Sequence, residues 1–463
     1  MTAPNLSPDI FRQYDIRGLV DKDLTDEAVY WIGRAAGTGI VRAGGRDVAV
    51  GWDHRPSSPR FAQRLSRGLS ECGLDVTVIG QCPTPVLYFS IFHLNAGGGL
   101  MITGSHNPPE FNGLKVNVGT DTLYGDQITA LREMILGGDL VAGGPGKITE
   151  VDATGPYIDY LVKNISLQRP LHVAVDSGHG VAGPVAPEIL KRLGCRVDCL
   201  YCDVDSSFPD HHPDPAVAEN LRDLIDKVRD GGADVGVAFD GDADRLGVID
   251  DRGNIIWGDQ LLALYAQDIL VDNPGGKVIF DVKASDLVEE VVKGAGGVPI
   301  MSRTGHSFIK ERLRQEKALI GGEVSGHLFF ADRYFGFDDG IYAAVRLVEL
   351  LSGTDKRLSE LVAGLPTYAA TPEYRVDCPD DRKFQVVEQL ADYFARDYQV
   401  ITVDGARVKI DGGWGLVRAS NTQPALGLRF EAVSADKLEK IVDLFRQTLK
   451  SQAGLTLPTD GTS

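Results

Sequence analysis

Positive charge is what this sequence most lacks. Over 463 residues, 47 Lys and Arg face 65 Asp and Glu, a formal net charge of −18. There is no general basic surface to neutralise a phosphate backbone, which excludes nucleic acid as the expected partner. An anionic substrate would have to be met by cations gathered locally, against the sign of the whole chain. Long apolar runs are missing too. None approaches the ~20 residues of a membrane span, and the N-terminus lacks a charged-then-apolar leader, so we expect no membrane partner and a cytoplasmic location. Cysteine is sparse, six residues without regular spacing. Cys195, Cys199 and Cys202 lie close enough to raise a zinc site, but no second CxxC pair accompanies them. Reduced, buried thiols are the expectation.

Glycine, by contrast, is abundant: 54 residues point to many tight turns and close backbone approaches. A chain of this length exceeds a single hydrophobic core. Short β-rich runs alternate with amphipathic stretches, which predicts α/β units with largely parallel pairing. One kind of strand recurs at 47–53, 172–178 and 277–283. Each is followed, tens of residues later, by a second apolar strand (99–102, 234–239, 318–320) running into a polar loop. Three similar α/β units, each giving one functional loop at a strand's C-terminal end, is the economical reading. From about Thr371 the pattern changes. Strands at 374–376, 400–403, 408–410, 415–418 and 427–432, with helices near 383–396 and 435–450, predict an α+β domain with an antiparallel sheet. Domains are expected at 1–151, 152–253, 254–365 and 366–463.

The polar loops carry the chemistry. Ser105 sits in a turn closed by Asn107, Pro108 and Pro109, with Lys115 soon after. A serine there is either a turn cap or a nucleophile that needs a base or a positive field to activate it. The surroundings are not the Gly-x-Ser-x-Gly elbow of acyl hydrolases. Asp240, Asp242 and Asp244 alternate immediately after an apolar strand. Carboxylates packed so closely repel, and a divalent cation with hard oxygen ligands, magnesium or calcium, is the natural compensation. An EF-hand fails because Arg245 stands where glycine is needed and Asp251 where glutamate is. Glu323 and Ser325 fall on one side of an extended segment, suited to paired hydroxyls of a sugar ring, although a structural turn is nearly as good a reading. Arg418, followed by Ser420, Asn421 and Thr422, makes a cradle for a phosphate monoester or else an ordinary polar hairpin. Arg17, Lys283, His306 and Lys310 are further cations that together would supply a local positive field.

Four of these stretches, in this order, resemble the α-D-phosphohexomutases: Thr103 to Pro108, Asp240 to Arg245, Gly322 to His327, and Arg418 to Thr422. The resemblance covers essentially the whole chain and is closest to the bacterial phosphomannomutase/phosphoglucomutase branch, which shares Tyr14 to Gly18, His211 to Pro215 and Phe335 to Gly340. It implies a heart-shaped molecule of three similar mixed α/β domains plus a C-terminal α+β domain around a central cleft. It also implies reversible phosphoryl transfer between C1 and C6 of glucose or mannose phosphate, through a phosphoserine and a hexose 1,6-bisphosphate. Ser105 would carry the phosphoryl group and, with Asp240, Asp242 and Asp244, hold one Mg2+. Glu323, Ser325 and His327 would meet the sugar, and Arg418, Ser420, Asn421 and Thr422 the non-reacting phosphate. Tyr14, Arg17, Lys115, Arg245, Lys283 and His306 would line the cleft, with Lys115 and His327 as proton-transfer groups. Hexose phosphates are the implied partners, and a monomer is expected.

Two residues depart from the family pattern: Ala243 replaces a frequent glycine in the metal loop, and His179 a frequent asparagine. Alanine predicts a backbone there that is not left-handed. Rival readings are a phosphoglucosamine mutase, whose sugar loop usually has glutamine where Val324 stands, and a catalytically silent sugar-phosphate sensor. A strict phosphoglucomutase is a third. A phosphatase of the alkaline type would need a two-zinc His/Asp set that is not seen.

Overall fold

In the computed structural model, which describes residues 6–420 and 423–458, the chain forms sheets of seven, five, four and six strands in consecutive stretches. The first three sheets share one kernel. A central strand comes first in the chain, a second pairs parallel on one side, and a third pairs parallel on the other. The chain then turns back into an antiparallel neighbour. In the first sheet these are Asp47–Trp52, Asp75–Gln81, Gly98–Ile102 and the return strand Phe111–Val118. In the second they are His172–Asp176, Arg196–Leu200, Val235–Phe239 and Leu246–Asp250. In the third they are Lys277–Asp281, Val298–Ser302, Ile320–Gly322 and Leu328–Phe330. The threefold repeat expected from the sequence is present.

Burial explains the wording of these strands. Every residue of Gly98–Ile102 and of Val235–Phe239 is buried. A strand covered on both faces has no polar side to alternate, so it reads as an unbroken apolar or glycine run. One apolar core extends from Ala49 to Leu365 and joins the three kernels. The turn from third strand to return strand leaves that core at the C-terminal end of the parallel set, where the loops of α/β sheets collect ligands.

The fourth sheet is antiparallel, as expected, and closes over its own core. Gln399–Ile401, Ala406–Ile410, Gly413–Ala419 and Ala425–Ala432 follow one another, and Tyr374–Asp377 pairs with the last. One of its contacts with the third unit is a buried cation. Arg407 donates to the carbonyls of Val282 and Ala284 at 2.6 and 2.8 Å and to Asp286 at 2.7 Å.

The thiols differ from expectation. All six cysteines are unpaired, but only Cys195 of its group is buried, while Cys199 is exposed and Cys202 half-buried. Arg196–Leu200 is an edge strand that is fully buried at none of its positions, which leaves Cys199 exposed. Among the described residues, no helix is long and apolar enough to cross a membrane.

Asp339 shows how the units are tied together. It caps the helix Gly340–Ser352 and accepts from the Tyr342 amide at 2.7 Å, Tyr157 Oη at 2.9 Å and Tyr334 Oη at 2.8 Å. Tyr157 belongs to the helix Thr154–Asn164, outside the third unit. Burial pushes the Asp339 carboxyl from 3.8 up to about 7, in spite of these donors. Its folded pKa thus lies above its unfolded value. Between the two, the native chain keeps a proton that the unfolded chain has released, and stability falls as pH rises, levelling off above the folded pKa. The slope from this group is at most about 1.4 kcal/mol per pH unit. Asp339→Asn is expected to flatten melting temperature against pH across that window. A slope unchanged by the substitution would contradict the assignment.

Candidate active site

The turn after Gly98–Ile102 holds Ser105 at φ +49°, a left-handed conformation unusual for a residue with a Cβ. Its hydroxyl does not cap its own turn. Ser105 Oγ donates across to Asp240 Oδ2 in the second unit at 2.7 Å and lies 3.1 Å from His106 Nδ1. Burial, with the Arg245 and Arg17 charges, pushes the His106 imidazole well below its usual range.

Asp240, Asp242 and Asp244 are buried in the corresponding turn of the second unit, with one oxygen of each within 4.8 Å of the others. Burial first, then repulsion from Asp244 and Asp242, drives Asp240 well above the usual carboxylate range. Burial and Asp244 push Asp242 in the same direction, but Lys115 outweighs them. Lys115 Nζ is 2.8 Å from Asp242 Oδ2 and also bonds Asp244. Burial alone would lower the lysine, but the two carboxylates hold it well above its usual range. Asp242 Oδ1 is buried with no hydrogen-bond partner among the described residues. Three hard donors, one of them carrying an orphaned oxygen, fit a divalent cation of the magnesium type. Asp338 also approaches Asp244 and His327. There, however, Lys310 Nζ already stands 2.9 Å from Asp338 and supplies the compensating charge.

Ala243 corrects a sequence expectation: it is left-handed, at φ +64°. The turn requires it. Ala243 N donates to Asp240 O at 3.0 Å, and the amides of Asp244 and Arg245 then reach back to Asp240 Oδ1 at 3.1 and 3.2 Å. Alanine bears the strain of a left-handed residue, about 1–2 kcal/mol, with the smallest side chain that has a Cβ.

The segment 323–327 is a tight turn, not the extended segment expected. Glu323 N donates to His327 O at 2.9 Å, and Gly326, at φ +93°, makes the reversal. The turn itself still places Glu323 and Ser325 together, with Ser325 Oγ 3.4 Å from Glu323 Oε2. His327 links the two loops: Nδ1 is 3.1 Å from Glu323 Oε2 and 3.0 Å from Ser325 Oγ, and Nε2 is 3.4 Å from Asp244 Oδ1. Burial opposes its charge, but Asp244 and Glu323 prevail and raise it to about 9. Burial pushes His306, stacked 5.7 Å away, well below its usual range.

These groups border one cavity of about 520 Å³. Ser105, Lys115, Asp244, Arg245, Glu323, Ser325 and His327 line it, together with Tyr14, Arg17, Lys283 and His306. Tyr14 Oη donates to Thr304 O at 3.1 Å, and its ring passes so close to Gly305 that a Cβ there would lie 2.4 Å from it. The cations wanted by a negative chain are therefore concentrated here. Lys310 is not among them. It lies behind His306, donating to Tyr88 Oη at 3.1 Å and facing another cavity. Gln423 of the hairpin that carries Arg418 and Ser420 reaches the cavity, and Arg418 is hydrogen-bonded to Tyr14 of its wall. Arg418 Nη2 donates to Asp404 Oδ2 at 3.0 Å. Asn421 and Thr422 lie outside the described residues.

Sequence reasoning passed over the groups that hold these loops. Thr84 Oγ1 donates to Asp242 Oδ2 at 2.6 Å, and Thr84 N to Asp242 O at 2.9 Å. Asp404 accepts from Thr304 N at 3.1 Å, joining the fourth unit to the cavity wall. Asp281, pushed up to about 6 chiefly by burial, accepts from Thr304 Oγ1 at 3.0 Å. A signal for Asp281 was available. The first strand of every kernel ends in an aspartate or runs straight into one, Asp53, Asp176 and Asp281, and all three are buried.

The arrangement of a serine, a carboxylate triplet, a hydroxyl-reading turn and a ring of cations has counterparts in known proteins. Four family descriptions match in chain order. Phosphoglucomutase/phosphomannomutase alpha/beta/alpha domains I, II and III match residues 8–137, 155–253 and 257–368, and the C-terminal domain matches 373–448. The phosphomannomutase/phosphoglucomutase of Pseudomonas aeruginosa is 48% identical over 97% of both chains. The phosphoglucomutase of Neisseria gonorrhoeae is 46% identical over 98% of this chain and 99% of its own. A phosphoglucomutase/phosphomannomutase family protein of Burkholderia thailandensis superposes with TM-score 0.92 at 41% identity, covering 98% of this chain and all of that one. Order, coverage and geometry agree: this chain belongs to the phosphoglucomutase/phosphomannomutase family.

Proposed function

We propose that this chain is a hexose-phosphate mutase that interconverts the 1- and 6-phosphates of glucose and of mannose through phospho-Ser105. The observation that carries the reading is the 2.7 Å bond from Ser105 Oγ to Asp240, made at the edge of a cavity that also holds Glu323 and Ser325. Glu323 and Ser325 grip neighbouring sugar hydroxyls, and Tyr14 and His306 shape the wall beside them. A free sugar hydroxyl attacks the phosphoryl group on Ser105. The new sugar O–P bond forms as the bond to Oγ breaks, the hydroxyl gives up its proton, and Oγ takes one. Lys115 and His327, between the metal loop and the sugar loop and both held protonated, are assigned this exchange: the one that protonates the departing Oγ is left neutral and takes the hydroxyl's proton. Arg17, Arg245 and Lys283 bind anionic oxygens and keep water from competing. Magnesium held by Asp240, Asp242, Asp244 and phospho-Ser105 would supply positive charge to the moving phosphoryl group.

The hexose 1,6-bisphosphate then turns end for end, and Ser105 recovers a phosphoryl group from the other end. The hairpin of Arg418, Ser420, Asn421 and Thr422 holds whichever phosphate is not reacting. One fixed guanidinium and small flexible donors suit a site that must accept two sugar orientations. We place the enzyme in the cytoplasm as a monomer with small-molecule partners only.

A coupled assay tests the activity. With magnesium and catalytic bisphosphate, glucose 1-phosphate and mannose 1-phosphate are expected to turn over at comparable rates, and glucosamine 1-phosphate poorly. Preference for glucosamine 1-phosphate would transfer the chain to the phosphoglucosamine reading, and no turnover of any sugar to the silent sensor.

A further inference from the structure

We infer that Arg55, acting with Asp53, is the positioning residue that holds the Ser105 loop in its reactive shape. The inference rests on the mutase reading above. Arg55 is wholly buried, does not border the cavity, and spends both terminal nitrogens of its guanidinium on one loop. Nη2 donates to the carbonyls of Ser105 at 3.0 Å and Asn107 at 2.6 Å, and Nη1 to those of Pro108 at 2.6 Å and Phe111 at 3.0 Å. Nε donates to Asp53 Oδ2 at 3.1 Å. Asp53 grips the other side of the serine. Its Oδ2 accepts from Gly104 N at 2.9 Å, and its Oδ1 from Ser58 Oγ at 2.6 Å and Arg55 N at 3.0 Å.

The amide of Gly104 and the carbonyl of Ser105 itself are thereby fixed by one buried ion pair, while Thr103 Oγ1 accepts from Ser105 N at 2.8 Å. That is what a left-handed serine requires. Such a conformation costs on the order of 1–3 kcal/mol and persists only where its surroundings over-determine it. Gly104 belongs to the same device, because a Cβ there would lie 2.2 Å from Arg55 Nε. Arg17 also binds the loop, at Gly104 O, but it faces the cavity and would meet substrate. With Arg55 weakened, Ser105 is free to relax toward negative φ, which carries Oγ away from Asp240. Lysine cannot replace the fork. One ammonium has three donors and no fixed plane, whereas the loop presents four carbonyls to a planar group.

Arg55→Lys tests this with glucose 1-phosphate as probe. Misaimed phosphoryl transfer lowers kcat by about 100-fold. Because Arg55 touches no substrate, KM stays within about threefold of wild type. Melting temperature is expected to fall, because buried carbonyls lose donors, without KM following it. The inference is overturned if kcat is retained, or if kcat, KM and melting temperature all deteriorate together as in a general loss of structure. Should Arg55→Lys not accumulate folded, Asp53→Asn, which keeps the side-chain shape, is read in the same way with a loss of about tenfold in kcat expected. In the Ser105→Ala background, adding Arg55→Lys is expected to leave the affinity for glucose 1-phosphate unchanged. Wild-type protein without turnover would remove the mutase reading itself. Wild-type turnover with an unimpaired Arg55→Lys enzyme removes only this inference.

Discussion

Ser105→Ala is expected to lower turnover of glucose 1-phosphate by at least about 10⁴-fold, the scale on which loss of a covalent nucleophile is felt. The effect should be confined to chemistry. Ser105 Oγ makes its main contact with a carboxylate whose own charge is disfavoured by burial and by two neighbouring aspartates. Removing one donor to such a group costs about 1 kcal/mol of stability, small for a chain of this size. The sugar is held from elsewhere, by Glu323, Ser325 and the cations of the cavity wall, so affinity for hexose phosphates is expected to stay within about threefold. Catalytic bisphosphate should not rescue the variant, because it restores a phosphoryl group to Ser105 and not to the sugar. An active Ser105→Ala enzyme, or one that has lost binding as well, would send the chemistry elsewhere.

The second large effect concerns Asp240, and here activity and stability should move in opposite directions. Asp240→Asn is expected to reduce turnover by about 10³-fold, since a cation at a phosphoryl group contributes several kcal/mol to the barrier. Without a divalent ion, three buried carboxylates repel, and Lys115 contacts only Asp242 and Asp244. Burial and the two neighbouring carboxylates outweigh the more distant cations at Asp240, so neutralising it removes a cost of folding. The melting temperature of the metal-free variant should therefore equal or exceed that of metal-free wild type. Magnesium should raise the melting temperature of wild type through mass action and leave the variant nearly unmoved. A variant that is less stable than wild type without metal, yet still gains from magnesium, would contradict the placement of the ion.

The parts of this molecule legible in the sequence are those where one residue's chemistry is local. Alternating Asp240, Asp242 and Asp244 declare a cation whatever surrounds them, and fully buried strands announce themselves as apolar runs. The kernel repeat could be read because the same strand role imposes the same wording three times. What could not be read depends on partners far along the chain. Arg55 looks like a surface arginine until the loop 105–111 is folded over it, and Thr84 like an ordinary helix start until Asp242 is brought to it, 158 residues on. At Ala243 local steric preference, worth about 1–2 kcal/mol, yields to three hydrogen bonds that the left-handed turn makes possible. Lys310 shares its charge with the cations of the cleft, but Asp338 holds it behind His306. The turn at Glu323 leaves no local mark, because glycine at 326 is equally at home in a strand end and in the reversal it makes.

The claim on which the rest depends is that Ser105 carries the phosphoryl group between two ends of one sugar. It is tested by loading the enzyme with isotopically labelled glucose 1,6-bisphosphate, isolating the protein, and mapping the label by peptide mass. The account predicts one phosphoryl group, on Ser105, which passes to the sugar as bisphosphate when unlabelled glucose 1-phosphate is added. Turnover proceeding at full rate while Ser105 never acquires label would contradict it.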